Sequence, residues 1–415
     1  MKISVYKIER VVFAIMLFFL YIYNFQTDGA GNTITNILIV AFIGFEAMFF
    51  FRRKGRAVVS YEVECMLLFV LICAISTMYS TAQGDSINKV KTLFVMLVFF
   101  ASLISFIGRG NNLNLMLKTI SVCSVVAAAY CIINSSWLSG IRVDNIIGDT
   151  NQVSAYLAYS MTILLLCGKK KMLSRPLLYL GVVLILFANI IGGSRSGLIA
   201  TLLGLLGFLF LNVKKNKYRI LKIAGLVVLS TIGFLMLARL IMTNPILYKI
   251  IGRRYVSFFE IMSGKTSSIG ETSTDERNLL RQLAWNKFIS NPGTILGGNG
   301  ISYFNSYYES IGGGYYFCHN NYLELLSGVG IFGTICFYTP YVKTGARAVR
   351  NFIKKRTSEG TAAIIVLIQI LIMHWFVVFY YQKLEFVIIA AIIGIAKRAN
   401  WAICEETTYE QRDFN

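Results

Sequence analysis

One of the two histidines in the chain, His319, stands where a polar stretch, YYFCHNNY, gives way to an apolar run, LELLSGVGIFG. At the first turn of a helix the partial positive charge of the N-terminus disfavours the imidazolium. A histidine there is expected to be neutral near pH 7, the state a general base needs. The alternative is an interfacial histidine that only caps the helix. Two arginines, Arg277 and Arg281, lie four apart in STDERNLLRQLAWNKFISNP and therefore on one side of a helix. Each guanidinium offers a planar fork of donors suited to diphosphate oxygens, although a basic edge lying on anionic headgroups would show the same spacing. A third, Arg195, sits in the tight turn GGSRSG after a span without charge. Held near a bilayer it must snorkel to the headgroups or face a polar cavity. The Ser-Arg-Ser-Gly that follows opens a helix whose N-terminal amides also attract anions.

Other reactive side chains are weaker candidates. Cys318 precedes His319 directly, and adjacent side chains diverge on a helix, so the two are not expected to act as nucleophile and base. Glu324, five residues after His319, is expected to contact a neighbouring span. His374, inside LIQILIMHWFVVFYY, is read either as lining function or as making an interhelical hydrogen bond. Most cysteines fall inside the apolar segments, with no paired spacing for zinc or a disulfide framework.

The elements that must position these groups are membrane helices. Of 415 residues 56% are hydrophobic, only 14% are charged and four are proline, and apolar blocks of about 20 residues recur from end to end. Backbone groups cannot stay unpaired in lipid, so the blocks should be helical. The expected fold is an all-α polytopic membrane bundle of about twelve spans. They are placed near residues 9–27, 34–51, 62–80, 91–108, 116–134, 153–168, 176–192, 196–212, 220–243, 319–340, 361–381 and 384–397. The first lacks a small-residue cleavage site and reads as a retained helix. Residues 1–243 then form the first nine helices, 244–318 a long outward loop, and 319–415 the last three helices and a tail.

The formal charge of +20 is a topology signal before it is a nucleic-acid signal. Lys2, Arg52, Arg53, Lys54, Arg56, Lys169, Lys170, Lys171, Lys214, Lys215, Lys217, Lys354, Lys355 and Arg356 fall in alternate connections. The positive-inside rule then puts both termini in the cytoplasm and 244–318 outside. Long loops are usually functional or disordered, and this one is too rich in Tyr and Phe for disorder. Within it, Ser273 and Glu276 have capping-box spacing, Leu279, Leu280, Leu283 and Ala284 form an apolar face, and Asn291-Pro292 marks a stop. Arginines beside tyrosines suit a phosphorylated, sugar-bearing substrate.

GGSRSGLIA, DERNLLRQLAWNKFISNP and HNNYLELLSGVGIFG, in that order, resemble the O-antigen polymerase and O-antigen ligase superfamily, and GDTNQVSAYLAY also looks like one of its elements. Two features depart from the family pattern. NPGTILGGNG stretches the spacing from proline to the Gly-x-Gly turn, and Arg281 stands where an aromatic is frequent. By that alignment Arg277 is the family arginine and Arg281 an addition. The resemblance implies a metal-independent, cofactor-free inverting glycosyltransferase with a polyprenyl-diphosphate glycan as donor. Arg195 and Arg277 would hold the diphosphate leaving group, His319 would activate the acceptor hydroxyl, and Arg281, Asn320, Tyr322, Asn151 and Ser194 would bind substrate. It implies the outer face of a bacterial cytoplasmic membrane, a glycan acceptor, a chain-length regulator as a further partner, and no nucleic acid. Polymerisation of repeat units is the leading expectation, with transfer of finished glycan to a lipid or protein acceptor as the alternative. A transporter would need polar groups along several spans, for which Glu46, Arg239 and His374 are nearly the only candidates. A scaffold would tolerate changes at Arg195 and His319.

Overall fold

The computed structural model describes residues 5–23, 30–52, 60–140, 149–213, 217–263, 272–355 and 357–412. Among them every regular element is a helix. The first nine long helices are α1 (Val5–Tyr23), α2 (Ala30–Arg52), α3 (Tyr61–Ser76), α4 (Gln83–Ile107), α5 (Asn112–Asn134), α6 (Thr150–Lys169), α7 (Arg175–Ile191), α8 (Arg195–Leu211) and α9 (Arg219–Thr243). Five shorter ones follow: α10 (Pro245–Leu247), α11 (Arg253–Met262), α12 (Thr272–Phe288), α13 (Pro292–Gly297) and α14 (Tyr303–Ser310). The chain closes with α15 (Asn321–Lys355), α16 (Ser358–His374) and α17 (Lys383–Arg412). Each of the twelve expected blocks coincides with one of α1–α9 or α15–α17. Asn32–Phe51, Gln83–Ile107, Asn112–Asn134, Ile220–Thr243 and Asn321–Lys354 are long and apolar enough to cross a membrane, while α7, α8 and α16 are apolar but shorter. Lys2, Arg53, Lys54, Arg56, Lys214, Lys215 and Arg356 lie outside the described residues, as does the side chain of Ser273.

Burial divides the helices by role. In α17 nearly every side chain from Leu384 to Ala396 is buried, as befits a helix that is apolar all round and central. On α9, by contrast, Ile220, Leu221, Leu229 and Met236 are each at least 67% exposed. An apolar helix left so open finds a compatible solvent in hydrocarbon rather than water. Polar side chains staple the interior. Gln369 of α16 donates through Nε2 to the carbonyls of Ala158 (3.0 Å) and Ala200 (2.8 Å) and accepts from Thr162 Oγ1 (3.1 Å), tying α16 to α6 and α8. A half-satisfied amide in such a place would be costly.

Beside the site, two block boundaries move together. The eleventh block, 361–381, outruns its helix: α16 ends at His374 and the chain turns back toward α17. Asn321 Oδ1 accepts the backbone N–H groups of Phe379 (2.8 Å) and Tyr380 (3.0 Å), and so holds that turn. The tenth helix accordingly opens at Asn321, so His319 stands ahead of its first turn rather than within it.

NPGTILGGNG, a departure at the sequence level, turns out to be a wedge. α15 is broken at Gly330, whose φ of 63° and ψ of −167° are open essentially to glycine alone. Into that break comes the end of α13. Gly300 N–H donates to Gly328 O and Asn299 N–H to Ser327 O, both at 2.8 Å. A Cβ on Gly330 would stand 2.3 Å from Leu296 O, and one on Gly298 would stand 2.3 Å from Gly328 O. Gly330→Ala should therefore destabilise the protein by about 3 kcal/mol and lower the melting temperature of the detergent-purified chain. An unchanged melting temperature would show that the wedge is not needed.

Candidate functional site

α12 enters the site on its buried face. Leu280, Ala284 and the half-buried Leu283 pack with Phe304 and Cys318, whereas Leu279 points out and is 48% exposed, so the expected apolar stripe is narrower by one residue. The two arginines differ in what they touch. Arg281 Nη2 donates to Trp375 O (3.1 Å), and its guanidinium lies about 6 Å from the Trp375 and Phe376 rings, tying α12 to the α16–α17 turn. Arg277 makes no hydrogen bond or ion pair among the described residues and lies within electrostatic reach of Arg254, Asp149, Arg281 and Arg195.

The turn carrying Arg195 is seated by small residues. A Cβ on Gly197 would stand 2.2 Å from Ser154 Cβ, so its absence lets α8 begin against α6. There Ser194 Oγ caps Gly197 N–H (3.2 Å) and donates to Asn151 Oδ1 (3.0 Å). Asn151 in turn gives its backbone N–H (2.9 Å) and Nδ2 (3.2 Å) to Asp149 Oδ1, the N-cap of α6. Arg195 does not snorkel alone. Its Nη1 donates to Arg254 O, and Arg254 Nη1 donates to Gly193 O, each at 2.8 Å. The two arginines thus clasp α11 to the α7–α8 turn.

His319 completes the cluster. Its φ of 52° places it in the left-handed region, a strain of the kind that gathers at functional sites. The backbone is held there by its neighbours. Cys318 N–H donates to Glu324 Oε2 (3.1 Å), and Asn320 Oδ1 accepts from Leu323 N–H (3.0 Å) as the N-cap of α15. Glu324, expected against another span, thus braces the turn itself, and Lys89 of α4 is its charged neighbour. The half-buried imidazole has Arg277, Asp149 and Arg281 around it and no hydrogen bond among the described residues. Burial first and Arg277 second push it down from 6.5 to about 4, with Asp149 opposing. Neutrality near pH 7 thus follows from burial and guanidinium charge. Arg277 and Arg281 are also held below the usual guanidinium range, by burial first. Cys318, fully buried, has its thiol pushed well above 9.0 by that burial, so it is no thiolate nucleophile.

Of the remaining expected residues, Asn320 caps its helix and Tyr322 is turned to the packing. Tyr322 OH donates to Leu371 O (2.8 Å) and its ring stacks on Tyr338 at 5.0 Å. His374 lies away from the cluster, with Tyr338 OH at its Nδ1 (3.0 Å) and Glu385 3.3 Å from Nε2. Glu46 belongs to yet another network, paired with Arg109 alongside Glu9. Glu46 and His374 therefore join separate structural networks. Asp149 and Arg254 are members of the cluster that the sequence reading missed. Asp149, in GDTNQ, had an N-cap signature, whereas Arg254 had no local signal.

The cluster places one neutral imidazole among guanidiniums, an arrangement able to receive a multiply charged anion and take one proton beside it. A family model described as O-antigen ligase matches residues 180–338, a segment containing Arg195, Arg254, Arg277, Arg281 and His319. No curated protein matches the chain.

Proposed function

We propose, for a chain whose residues 180–338 match a family model described as O-antigen ligase, that it joins polyprenyl-diphosphate-linked oligosaccharide repeat units at the outer face of the bacterial cytoplasmic membrane. In this reading α1–α9 and α15–α17 cross the bilayer, both termini are cytoplasmic, and 244–318 lies outside. The observation that carries it is the half-buried His319 imidazole standing among Arg277, Arg281 and Asp149.

The acceptor hydroxyl oxygen attacks the anomeric carbon from the face opposite the diphosphate. The new glycosidic bond forms as the bond to the diphosphate oxygen breaks, and its electron pair leaves with the diphosphate. His319 takes the hydroxyl proton, which makes the oxygen a better nucleophile. Arg277 and Arg195 meet the charge growing on the leaving group, and Arg281, anchored to Trp375, holds α12 in place. Ser194 and Asn151 orient the Arg195 turn. The anomeric centre inverts.

Transfer of finished glycan to a separate acceptor is the second reading, favoured by the description of the matched family. Donor and leaving group are common to both, so the acceptor decides. In a strain lacking the gene, electrophoresis of surface polysaccharide should show a single repeat unit on the acceptor, with the ladder restored by the wild-type gene. Long lipid-linked glycan with a bare acceptor would instead identify a ligase. An unchanged profile would remove both readings and leave transport in front.

A further inference from the structure

An open cleft of about 550 Å³ lies between the α3–α4 turn and α14, lined by Thr81, Gln83 and Asp85 on one side and Tyr303, Ser306 and Tyr307 on the other. Its volume falls among those of small-molecule sites, about 300–1,000 Å³. Hydrogen bonds tie the two walls to each other and to α3. Ser86 Oγ donates to Ile301 O (2.7 Å), Ile301 N–H donates to Ser76 Oγ (3.1 Å), and Ser306 donates to the Asp85 carboxylate. The Tyr303 and Tyr307 rings stack 5.7 Å apart at 13°, and the Lys287 ammonium stands 4.1 Å from the Tyr307 ring centroid. The tyrosines thus stand as a stacked aromatic pair across the cleft from a carboxylate.

We infer that this cleft is a binding site for a neutral, hydroxyl-rich saccharide, and that it holds sugars of the acceptor glycan while the arginine cluster holds the donor diphosphate. A pyranose presents an apolar C–H face to an aromatic ring and hydroxyl donors at its edge. A carboxylate is an acceptor only and suits neighbouring hydroxyls, but it repels phosphate. The two sites therefore divide one substrate chemistry by charge: anion beside Arg277, neutral sugar beside Asp85. They are also joined through the chain. Tyr315 lies within electrostatic reach of Asp85, and residues 315–319 lead from there to His319. One turn beyond Asp85 on α4, Lys89 stands 3.7 Å from the centroid of the Tyr381 ring and 5.3 Å from that of Phe317. The acceptor role rests on the transfer reaction proposed above, whereas saccharide binding itself does not.

The test uses the purified full-length chain in nanodiscs and, as probe, the neutral oligosaccharide released by mild acid from the host's own surface polysaccharide. Affinity is read by titration with saturation-transfer NMR. Wild type, Arg277→Ala and Tyr303→Phe should bind alike, because the probe lacks the diphosphate that Arg277 would meet and phenylalanine keeps the ring. Tyr303→Ala and Asp85→Ala should bind roughly tenfold more weakly. Equal binding by all five proteins, or none by wild type, overturns the site. Binding at the cleft in a protein whose deletion leaves the polysaccharide profile unchanged supports the site and removes its acceptor role. A changed profile without binding removes the site and leaves the transferase reading intact.

Discussion

His319→Ala should lower glycan transfer by about 10²- to 10⁴-fold, the loss expected when a positioned base is removed, with normal amounts of protein in the membrane. The imidazole makes no hydrogen bond among the described residues, so its removal leaves little unpaired behind it. The pH profile separates a base from a structural histidine. With the free imidazole at about 4, the base is already deprotonated above that pH. On its account kcat/KM should stay flat through neutrality and fall only as pH drops through about 4. In the complex, the diphosphate's negative charge offsets Arg277 and Arg281, which depress the imidazole, so the acid limb of kcat should lie at higher pH than that of kcat/KM. His319→Ala should erase both limbs from its residual rate. Acid limbs that persist in the variant, or a variant with wild-type turnover, would sink the assignment.

Arg277→Ala should cost about 10² to 10³ in kcat, comparable to deleting one preorganised donor to developing charge. The expectation is larger for Arg277 than for Arg281 because of what each already touches. Arg281 gives a donor to Trp375 O and serves packing, while Arg277 is held in a half-buried place among Arg254, Arg195 and Asp149 with its donors uncommitted among the described residues. Guanidiniums assembled in one place repel one another, with Asp149 the carboxylate among them, so a diphosphate would relieve that repulsion further. Arg277→Lys should recover only part of the rate, because an ammonium keeps the charge but not the planar fork. Removing Arg277 should also raise the imidazole of His319, so the acid limb of kcat/KM in Arg277→Ala should move up in pH. Full turnover in Arg277→Ala, with Arg281→Ala inactive at normal abundance and melting temperature, would reverse the two roles.

Much of the scaffold was legible because its signals are local. A run of apolar residues must be a helix in lipid whatever surrounds it, and each of the twelve blocks overlaps a helix over most of its length. The stop at Asn291-Pro292 was legible for the same reason: α12 ends at Phe288, and Asn291 caps α13 with Thr294 completing a capping box. His319, Arg195 and Arg277 were found as residue types in a recognisable order. The way they meet was not. Arg254 joins Arg195 across the fold, and Asp149 reaches the cluster from the start of α6; helix docking brings them there, and no periodicity records it.

The sequence by itself thus determined that the chain is a set of apolar helices with a histidine and arginines at their ends, because hydropathy and capping act within a few residues. Tertiary structure alone decided which end meets which. It turned Tyr322 and His374 into packing and set Arg277 apart from Arg281. It also used Gly298 and Gly330 to wedge α13 into α15. The protonation of His319 belongs to the same category. Its neutrality could be guessed from a helix end, but the depth of the shift comes first from burial and then from Arg277. Both exist only once distant segments have packed and water has been displaced from around the imidazole.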